Sequence, residues 1–196
     1  MSAEQEIAAA AARLVVEDGM EYGDAKRRAA RAFGRRAALP GNEQVEDEVR
    51  RYIELFCPEE QAAELAALRR LAQRWMQRLA EFRPHLAGAA WRGTATRRSA
   101  LHLDLYCDDA KSAEIALINA GVHFDSGTLE RPGAEPLPVL SLAARCDELA
   151  DSVTLHLALH DFDEQRGALK PDARGRSWRG DLTALERLLA APEAGR

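Results

Sequence analysis

Two segments of the chain alternate histidine and other polar residues with apolar ones. The segment "ALHLDLY" places His102 and Asp104 on one side of a predicted strand, and "SVTLHLALHD" places His156 and His160 on one side of another. If these strands are neighbours, imidazoles and a carboxylate converge, and zinc, manganese or iron accepts such ligands. The four residues therefore predict a divalent metal site. The alternative is that they line an open, solvated face of the sheet.

A turn rich in glycine and arginine precedes the first of these strands. Arg92, Gly93 and Thr94 lie in this turn. Backbone N–H groups, a hydroxyl and an arginine fork suit a phosphate group, so these residues predict phosphate binding. The alternative is an ordinary surface turn that is rich in arginine. The later polar loop, residues 163–180, could close over the same side with the basic residues Lys170, Arg174, Arg176 and Arg179.

The elements that must position these residues fall into two parts that meet near residue 84. We predict helices over residues 3–17 and 24–33, and a third that begins after Asn42, a good capping residue. Pro58 opens a fourth helix as a first-turn proline, and Pro84 ends it. Residues 1–84 are therefore predicted to be a helical N-terminal region.

From residue 85 onward, short strands alternate with helices. The apolar run "LAGAAW" predicts a buried first strand, and "PLPVLSLAA" predicts an inner strand. Asp109 and Asp181 are predicted to cap the two helices of this part. This order predicts an α/β (α+β) domain with a mixed β-sheet over residues 85–196.

Residues 88 to 106 resemble the signature of the nucleotidyltransferase superfamily, which has the polymerase-beta-like fold and minimal bacterial members. That signature is a first strand ending in Gly-Ser, then Arg-Gly, then Ser-Asp-hydrophobic-Asp-Leu on the second strand. Gly88 takes the first glycine, Arg92 and Gly93 take the pair, and Ser99 takes the serine. The resemblance implies a nucleotidyltransferase-like sheet, and it adds Gly88 and Ser99 to the predicted nucleotide- or phosphate-binding residues. The chain also resembles a group of uncharacterised bacterial proteins related to this superfamily.

The acidic positions of this signature carry other residues. Members of the superfamily hold two magnesium ions with two strand aspartates and a third carboxylate on a neighbouring strand. In this chain Ala100 and His102 stand at the two strand positions, and Ala89 replaces the serine after the first glycine. A register shifted by two residues brings in Asp104, but its partner is still His102. The third carboxylate is expected on residues 153–160, which contain none.

The resemblance and its departures together predict a degenerate member of the superfamily. We expect it to bind a nucleotide, a phosphorylated small molecule or a partner protein without transferring a nucleotidyl group. The alternative is an active nucleotidyltransferase with altered metal ligation. Whether the protein is an enzyme stays open at this point.

A third hypothesis is a DNA-binding regulator that uses a basic helix. The run "DAKRRAARAFGRR" concentrates basic residues between Lys26 and Arg36, a density that could bind phosphates. Against it, the net charge of the chain is −5, which offers no general attraction to nucleic acid. A solvated helix face offset by acids elsewhere is the alternative interpretation.

The composition indicates the cellular location of the protein and the redox state of its cysteines. Three scattered cysteines without a CxxC pair predict reduced thiols and no thiolate zinc site. The amino end has no basic start followed by an apolar segment, and no apolar run approaches the roughly 20 residues that span a bilayer. We therefore expect a cytoplasmic protein without a membrane partner. The apolar stripes of the first helices could serve a homodimer as well as a core.

Overall fold

The computed structural model describes residues 2–34, 37–131, 133–167, 171–172 and 174–191. Within these ranges the α-helices are α1 (Ala3–Asp18), α2 (Tyr22–Ala30), α3 (Asn42–Phe56), α4 (Pro58–Arg78), α5 (Gly88–Arg92), α6 (Ala110–Asn119) and α7 (Leu182–Ala190). The strands are β1 (His85–Ala87), β2 (Leu101–Cys107), β3 (Asp125–Leu129), β4 (Leu137–Cys146), β5 (Asp151–Asp161) and β6 (Arg179–Gly180). Short 3-10 helices occupy Arg31–Phe33, Ala80–Phe82, Asp147–Leu149 and Phe162–Gly167.

The chain divides into two compact units. One consists of Met1–Leu65 with Thr94–Ser99, and the other of Ala66–Gly93 with Ala100–Arg196. The predicted division into residues 1–84 and 85–196 stays a prediction.

The first unit has a core of small and branched apolar residues. Helix α1 packs against α2 and α3. The apolar stripes of these helices supply the buried side chains, which include Ile7, Ala11, Val15, Val45, Val49 and Ile53. Ser2 caps α1 by accepting the N–H of Gln5, and Gly19 ends it with a φ of 69°. A side chain at Gly19 would collide with the backbone of Arg98, which lies within the same unit. Close packing thus reinforces the choice of glycine at this helix end.

The second unit is built on a six-stranded sheet of order β3-β4-β5-β2-β1-β6 in the described part of the chain. Strands β2 and β5 pair in parallel, and the other neighbours pair antiparallel. The predicted mixed sheet and α/β fold class are therefore confirmed.

The two central strands have one apolar and one polar face, as their alternation predicts. Leu101, Leu103 and Leu105 of β2 are buried, as are the leucines of β5. Helix α6 packs against both strands and buries Ala113 and Leu117. The apolar face supplies the core, and the opposite face carries the histidines and Asp104.

The structure corrects the predicted first strand. The run "LAGAAW" is not one strand, because β1 ends at Ala87 and α5 begins at Gly88. Gly88 adopts a φ of 65°, in the left-handed region that glycine enters without strain. The helix expected to end at Pro84 also ends earlier, at Arg78, and is followed by a 3-10 helix. Among the described residues, no helix is long and apolar enough to span a membrane.

Candidate functional site

The strand pairing brings the predicted metal-binding residues onto neighbouring strands. His102 of β2 lies opposite His156 of β5, and Tyr106 lies opposite His160. Asp104 lies opposite Ala158. Because paired residues point to the same side of a sheet, these side chains share the polar face. The structure therefore meets the condition on which the predicted metal site depended.

The Asp104 carboxylate is held between two cationic side chains. The Arg179 Nη1 donates to Asp104 Oδ2 over 2.7 Å, and His160 Nε2 donates to Asp104 Oδ1 over 3.0 Å. The Asp104 side chain is only 12% exposed and that of Arg179 is 25% exposed. Partial burial strengthens such ion pairs relative to those on an open surface. Asp104 is thus neutralised by the protein itself.

The His160 imidazole links two carboxylates. Its Nδ1 lies 3.0 Å from Glu164 Oε2, and its other nitrogen contacts Asp104. Ionised carboxylates can only accept hydrogen bonds, so these two contacts favour the doubly protonated imidazolium form of the ring. Burial alone would lower the pKa of His160, but the hydrogen bonds to Asp104 and Glu164 raise it above its usual value. Arg131 Nη1, 2.9 Å from Glu164 Oε2, completes the chain of charges.

Tyr106 also contacts this network of charged side chains. Its ring stacks on that of His160, with centroids 5.2 Å apart, and its hydroxyl accepts a 3.1 Å hydrogen bond from Arg179 Nη1. Burial raises the pKa of the Tyr106 hydroxyl, and the bond from Arg179 offsets part of that rise. The phenol therefore stays neutral and orients the guanidinium.

The other two histidines of the predicted metal site, His102 and His156, form a separate pair. The rings of His102 and His156 lie 5.1 Å apart, tilted by 30°. The Ser141 hydroxyl of β4 and His156 Nδ1 share a 2.8 Å hydrogen bond, which fixes the orientation of that ring. Both histidines are half-buried. The four predicted ligands thus separate into an Asp104–His160 pair and a His102–His156 pair.

This arrangement does not suit magnesium. Magnesium requires hard oxygen ligands in octahedral geometry, whereas both oxygens of Asp104 already face cations. Among the described residues, no group of three or more His, Cys, Asp and Glu side chains is placed to hold a metal ion. The geometry favours an ion-pair network over a metal centre, and the divalent site at His102, Asp104, His156 and His160 stays a prediction.

Gly88 brings the start of α5 close to the histidine pair. A Cβ at this position would lie 3.1 Å from His102 Cδ2, tighter than nine in ten natural Cβ contacts. The backbone therefore passes directly beside the His102 ring. The predicted ligand-binding role of Gly88 is untested, but its position beside the polar face is compatible with it.

Arg92 is buried inside the second unit. Its Nη2 lies 2.9 Å from Asp172 Oδ2, and its Nη1 donates to the Ser177 carbonyl. The two side chains of this ion pair are 6% and 0% exposed. Burial alone would raise the pKa of Asp172, but the N–H of Arg176 and the guanidinium of Arg92 lower it to about 2. Arg92 thus holds the late loop in place, and its predicted phosphate contact stays a prediction.

The other residues of the predicted phosphate turn have different surroundings. Gly93 ends α5 with a φ of 84°. In the first unit, the Thr94 hydroxyl lies 3.2 Å from Tyr22 Oη, and Ser99 Oγ accepts the N–H of Thr96 over 3.0 Å. These contacts account for the polar side chains without a ligand. Phosphate binding by these three residues stays a prediction.

The late loop supplies a site residue that the predicted site lacked. Of its basic residues, Arg179 joins Asp104, because β6 pairs with β1 and thereby meets the polar face. The positive charge of the loop was the sequence feature that pointed to Arg179 as a site residue. Lys170 lies outside the described residues.

Two arginines in the basic helix of the first unit pair with acids. Lys26 Nζ donates to Pro40 O and Asn42 Oδ1, Arg27 pairs with Asp24 at 2.7 Å, and Arg28 lies 3.7 Å from Asp18. Arg35 and Arg36 lie outside the described residues. The acids offset the charges of Arg27 and Arg28, which weighs against the hypothesis of a DNA-binding regulator, whereas Lys26 keeps its charge because its acceptors are neutral.

Comparison with known proteins gives matches among solved structures alone. No family model matches the chain, and no curated protein matches it. The Cid1 poly(U) polymerase with bound MgGTP matches with a TM-score of 0.36 and 15% identity, over 50% of this chain and 32% of that one. Cid1 with the UTP analogue UMPNPP matches with a TM-score of 0.38 and 17% identity, over 57% and 36%.

A third solved structure shows the same degree of similarity. It is a cytoplasmic RNA terminal U-transferase, with a TM-score of 0.36 and 17% identity, over 50% of this chain and 30% of that one. The chain thus spans about a third of the length of these proteins. Similarity at this level does not establish a family. The class that the structure itself defines is a mixed α/β protein with a polar face on its sheet.

Proposed function

We propose that this protein is a nucleotidyltransferase-like protein that binds a nucleotide or another phosphorylated ligand, or a partner protein, without transferring a nucleotidyl group. The observation that carries the proposal is the state of Asp104. Its two oxygens are bonded to Arg179 and His160, so the carboxylate does not offer an open coordination site.

The neighbouring strand supports the loss of the acidic site. The residue opposite Asp104 on β5 is Ala158, and the polar residues that flank it on the same face are His156 and His160. The superfamily that residues 88–106 resemble holds its two magnesium ions with carboxylates from neighbouring strands. Neither histidine can supply such anionic oxygens.

The polar face also has features that suit a ligand. It is lined by half-buried imidazoles, by the Ser141 hydroxyl and by Arg179, and Gly88 keeps the start of α5 close beside it. Few polar groups on an otherwise buried surface are typical of small-molecule sites. The resemblance around residues 88–106 makes a nucleotide the first ligand class to test.

A thermal-shift panel tests the binding part of the proposal. A ligand that binds the native state raises its melting temperature by mass action. The panel contains nucleoside mono-, di- and triphosphates, each measured first in EDTA and then with magnesium or manganese. We expect a rise with a nucleotide in EDTA. If no nucleotide or phosphorylated compound shifts the midpoint under any condition, that result excludes a nucleotide ligand and leaves the partner protein.

A second experiment addresses transfer. Incubation with labelled nucleoside triphosphates and magnesium or manganese is expected to give neither labelled product nor pyrophosphate. Pyrophosphate release that disappears in the Asp104→Asn variant would establish instead the alternative of an active enzyme with altered metal ligation.

A further inference from the structure

Strand β3 forms an open edge of the sheet. It stands at one end of the strand order, and all five of its residues are exposed. Strand β6 at the opposite edge has two residues, and such short strands are one way in which proteins protect a sheet edge. Strand β3 is longer, contains neither proline nor lysine, and pairs with β4 continuously from Asp125 to Leu129 without a bulge. It therefore lacks these protections against pairing with another strand.

Pro138 of β4 shows which backbone groups of β3 point outward. Antiparallel neighbours alternate between pairs that exchange both backbone hydrogen bonds and pairs that exchange none. Pro138 lies opposite Thr128 and has no N–H, so this pair belongs to the second kind. The same holds two residues away, where Ser126 lies opposite Leu140. Ser126 and Thr128 therefore direct their backbone N–H and C=O groups away from β4, towards the free edge.

The free edge is open to an approaching strand. Outside the pairing with β4, no hydrogen bond reaches the backbone of Ser126 or Thr128 from the described residues. A Cβ at Gly127, which lies between them, would have 4.0 Å to its nearest neighbour, Val139 O, so the strand is not crowded there. Backbone groups that the protein does not pair bond either to water or to another chain. Those of Ser126 and Thr128 are thus available to a second strand.

The charges at the ends of β3 favour a second copy of this chain as that strand. In a symmetric antiparallel pair, the outward-facing positions of one copy lie opposite those of the other. A pair centred on Thr128 meets this condition, because Thr128 then faces its own copy and Ser126 faces Glu130. In this register Asp125 of each copy lies opposite Arg131 of the other. Opposite charges directly across two strands stabilise their pairing.

Other symmetric registers lack this match. A pair centred on Gly127 satisfies the same alternation but places the Asp125 carboxylate opposite the apolar Leu129. A pair centred on Ser126 places Asp125 opposite Gly127, which has no side chain. The charges therefore single out the register that is centred on Thr128.

Both charged groups are accessible for such a contact. Asp125 is exposed, and the Arg131 side chain is 28% exposed. Arg131 Nη1 donates to Glu164 Oε2 and its Nε donates to the Glu135 carbonyl. Because a guanidinium carries five N–H donors, it can serve a second carboxylate without releasing the first.

We propose that β3 is a dimer interface, at which a second copy of this chain adds its own β3 in antiparallel register centred on Thr128 and makes the two sheets continuous. The inference goes beyond the proposed function and does not depend on a phosphorylated ligand. Each copy contributes one free β3 edge, so the symmetric contact closes with two copies.

Sedimentation of the full chain from about 1 µM to about 1 mM tests the inference, and we expect monomer to convert to dimer as the concentration rises. Thr128→Pro removes an N–H at the free edge and none from the β3–β4 ladder, so the dimer dissociation constant should rise about tenfold or more. Thr128→Val is the matched control, because it keeps the N–H and the β-branched shape. It is expected to dimerise like wild type.

Three outcomes of this experiment overturn the inference. A chain that stays monomeric at every concentration has no second copy at β3, and leaves that edge to a strand of another protein. A dimer that is equally strong in Thr128→Pro has its interface elsewhere, for example on the helices of the first unit. Assemblies that grow beyond two copies do not have the closed symmetry of the proposed contact.

A charge exchange tests the register and serves if Thr128→Pro does not fold. Asp125→Arg and Arg131→Asp each place like charges opposite one another, and each should weaken the dimer about fivefold or more. In an equal mixture of the two variants, a mixed dimer has opposite charges at both contacts. The mixture should therefore dimerise at concentrations where each variant alone is monomeric. A mixture that behaves like the separate variants overturns the register.

Amide exchange measured by NMR at low and high protein concentration locates the contact directly. The Ser126 and Thr128 amides should become protected as the dimer forms. The Gly127 and Leu129 amides face β4 and should be protected at both concentrations. Dimerisation that leaves exchange at Ser126 and Thr128 unchanged overturns the inference.

Discussion

Asp104 and Arg179 form a 2.7 Å ion pair that joins the central strand β2 to the edge strand β6. Strand β1 lies between these two strands, so the pair reaches across it on the polar face. The arginine thereby ties the late loop to the middle of the sheet. The same contact occupies one oxygen of the Asp104 carboxylate, so that oxygen is not available to coordinate a metal ion.

A double-mutant cycle measures this contact. We expect Arg179→Gln and Asp104→Asn each to lower the free energy of unfolding, and the double variant to lose less than the sum of the two. The coupling is expected to be about 1 kcal/mol or more, because the side chains are in contact and mostly buried. Urea unfolding of the four proteins gives the value. Strict additivity would show that the pair contributes no stability of its own.

The charge on His160 predicts a pH dependence of stability. Hydrogen bonds to Asp104 and Glu164 raise its folded-state pKa, so its contribution to stability is fully present below the unfolded-state pKa. This contribution is lost as the pH rises through the raised folded-state pKa. We expect the urea midpoint to fall between about pH 6 and about pH 8, the range where histidine titrates.

The His160→Gln variant is the control for this pH dependence. It removes the titrating group, and the fall of the urea midpoint in this range should become smaller. An equal fall in wild type and variant would assign the pH dependence to another group.

Asp172 predicts the opposite response in acid. Its folded-state pKa is lowered to about 2, below the ordinary value of 3.8, so it stabilises the native state above that ordinary value. Stability should fall as the pH drops from about 4 towards about 2, as the carboxylate takes up a proton and the pair with Arg92 breaks.

The variant Asp172→Asn should be less stable at neutral pH and should show a smaller loss in acid, measured by tryptophan fluorescence. Asp163→Asn serves as its control, because Asp163 is an exposed acid. Acid curves of wild type and Asp172→Asn that run parallel would contradict the assignment.

Gly180 predicts a packing effect next to the late loop. A Cβ at this position would overlap the ring carbons of Trp91, whose Nε1 donates to the Ser177 carbonyl. Gly180→Ala must therefore displace the Trp91 ring, and we expect a loss of about 1 to 3 kcal/mol, as for other overpacked sites. Gly127→Ala is the matched strand control, because its Cβ would have 4.0 Å to the nearest atom, Val139 O. Equal stability of the two variants by urea unfolding would contradict this packing.

The sequence predicted the central strands well because their pattern is strong. Strict alternation in β2 and β5 fixes which side chains share a face, and both strands are long enough to show it. Their pairing then placed His102 opposite His156 and Tyr106 opposite His160. The faces were therefore predictable from residue type, whereas the register required the structure.

The parts that could not be predicted lack such a pattern. Strand β6 has two residues inside a polar loop, so no periodicity marks it, and the partnership of Arg179 with Asp104 depends on distant pairing. The run "LAGAAW" was misassigned because a short apolar stretch fits a strand and a buried helix equally well. The sequence does not indicate that Arg92 is buried, because its ion-pair partner Asp172 lies far along the chain in the late loop.

The parallel pairing of β2 with β5 also has a consequence for the order of folding. Strands β4 and β5 are joined by a short connection, so their hairpin can form early, whereas β2 must find β5 across a long intervening stretch. The bond between His160 and Asp104 can close only when that late step is complete. Its formation is therefore expected to follow the protection of the hairpin amides from exchange.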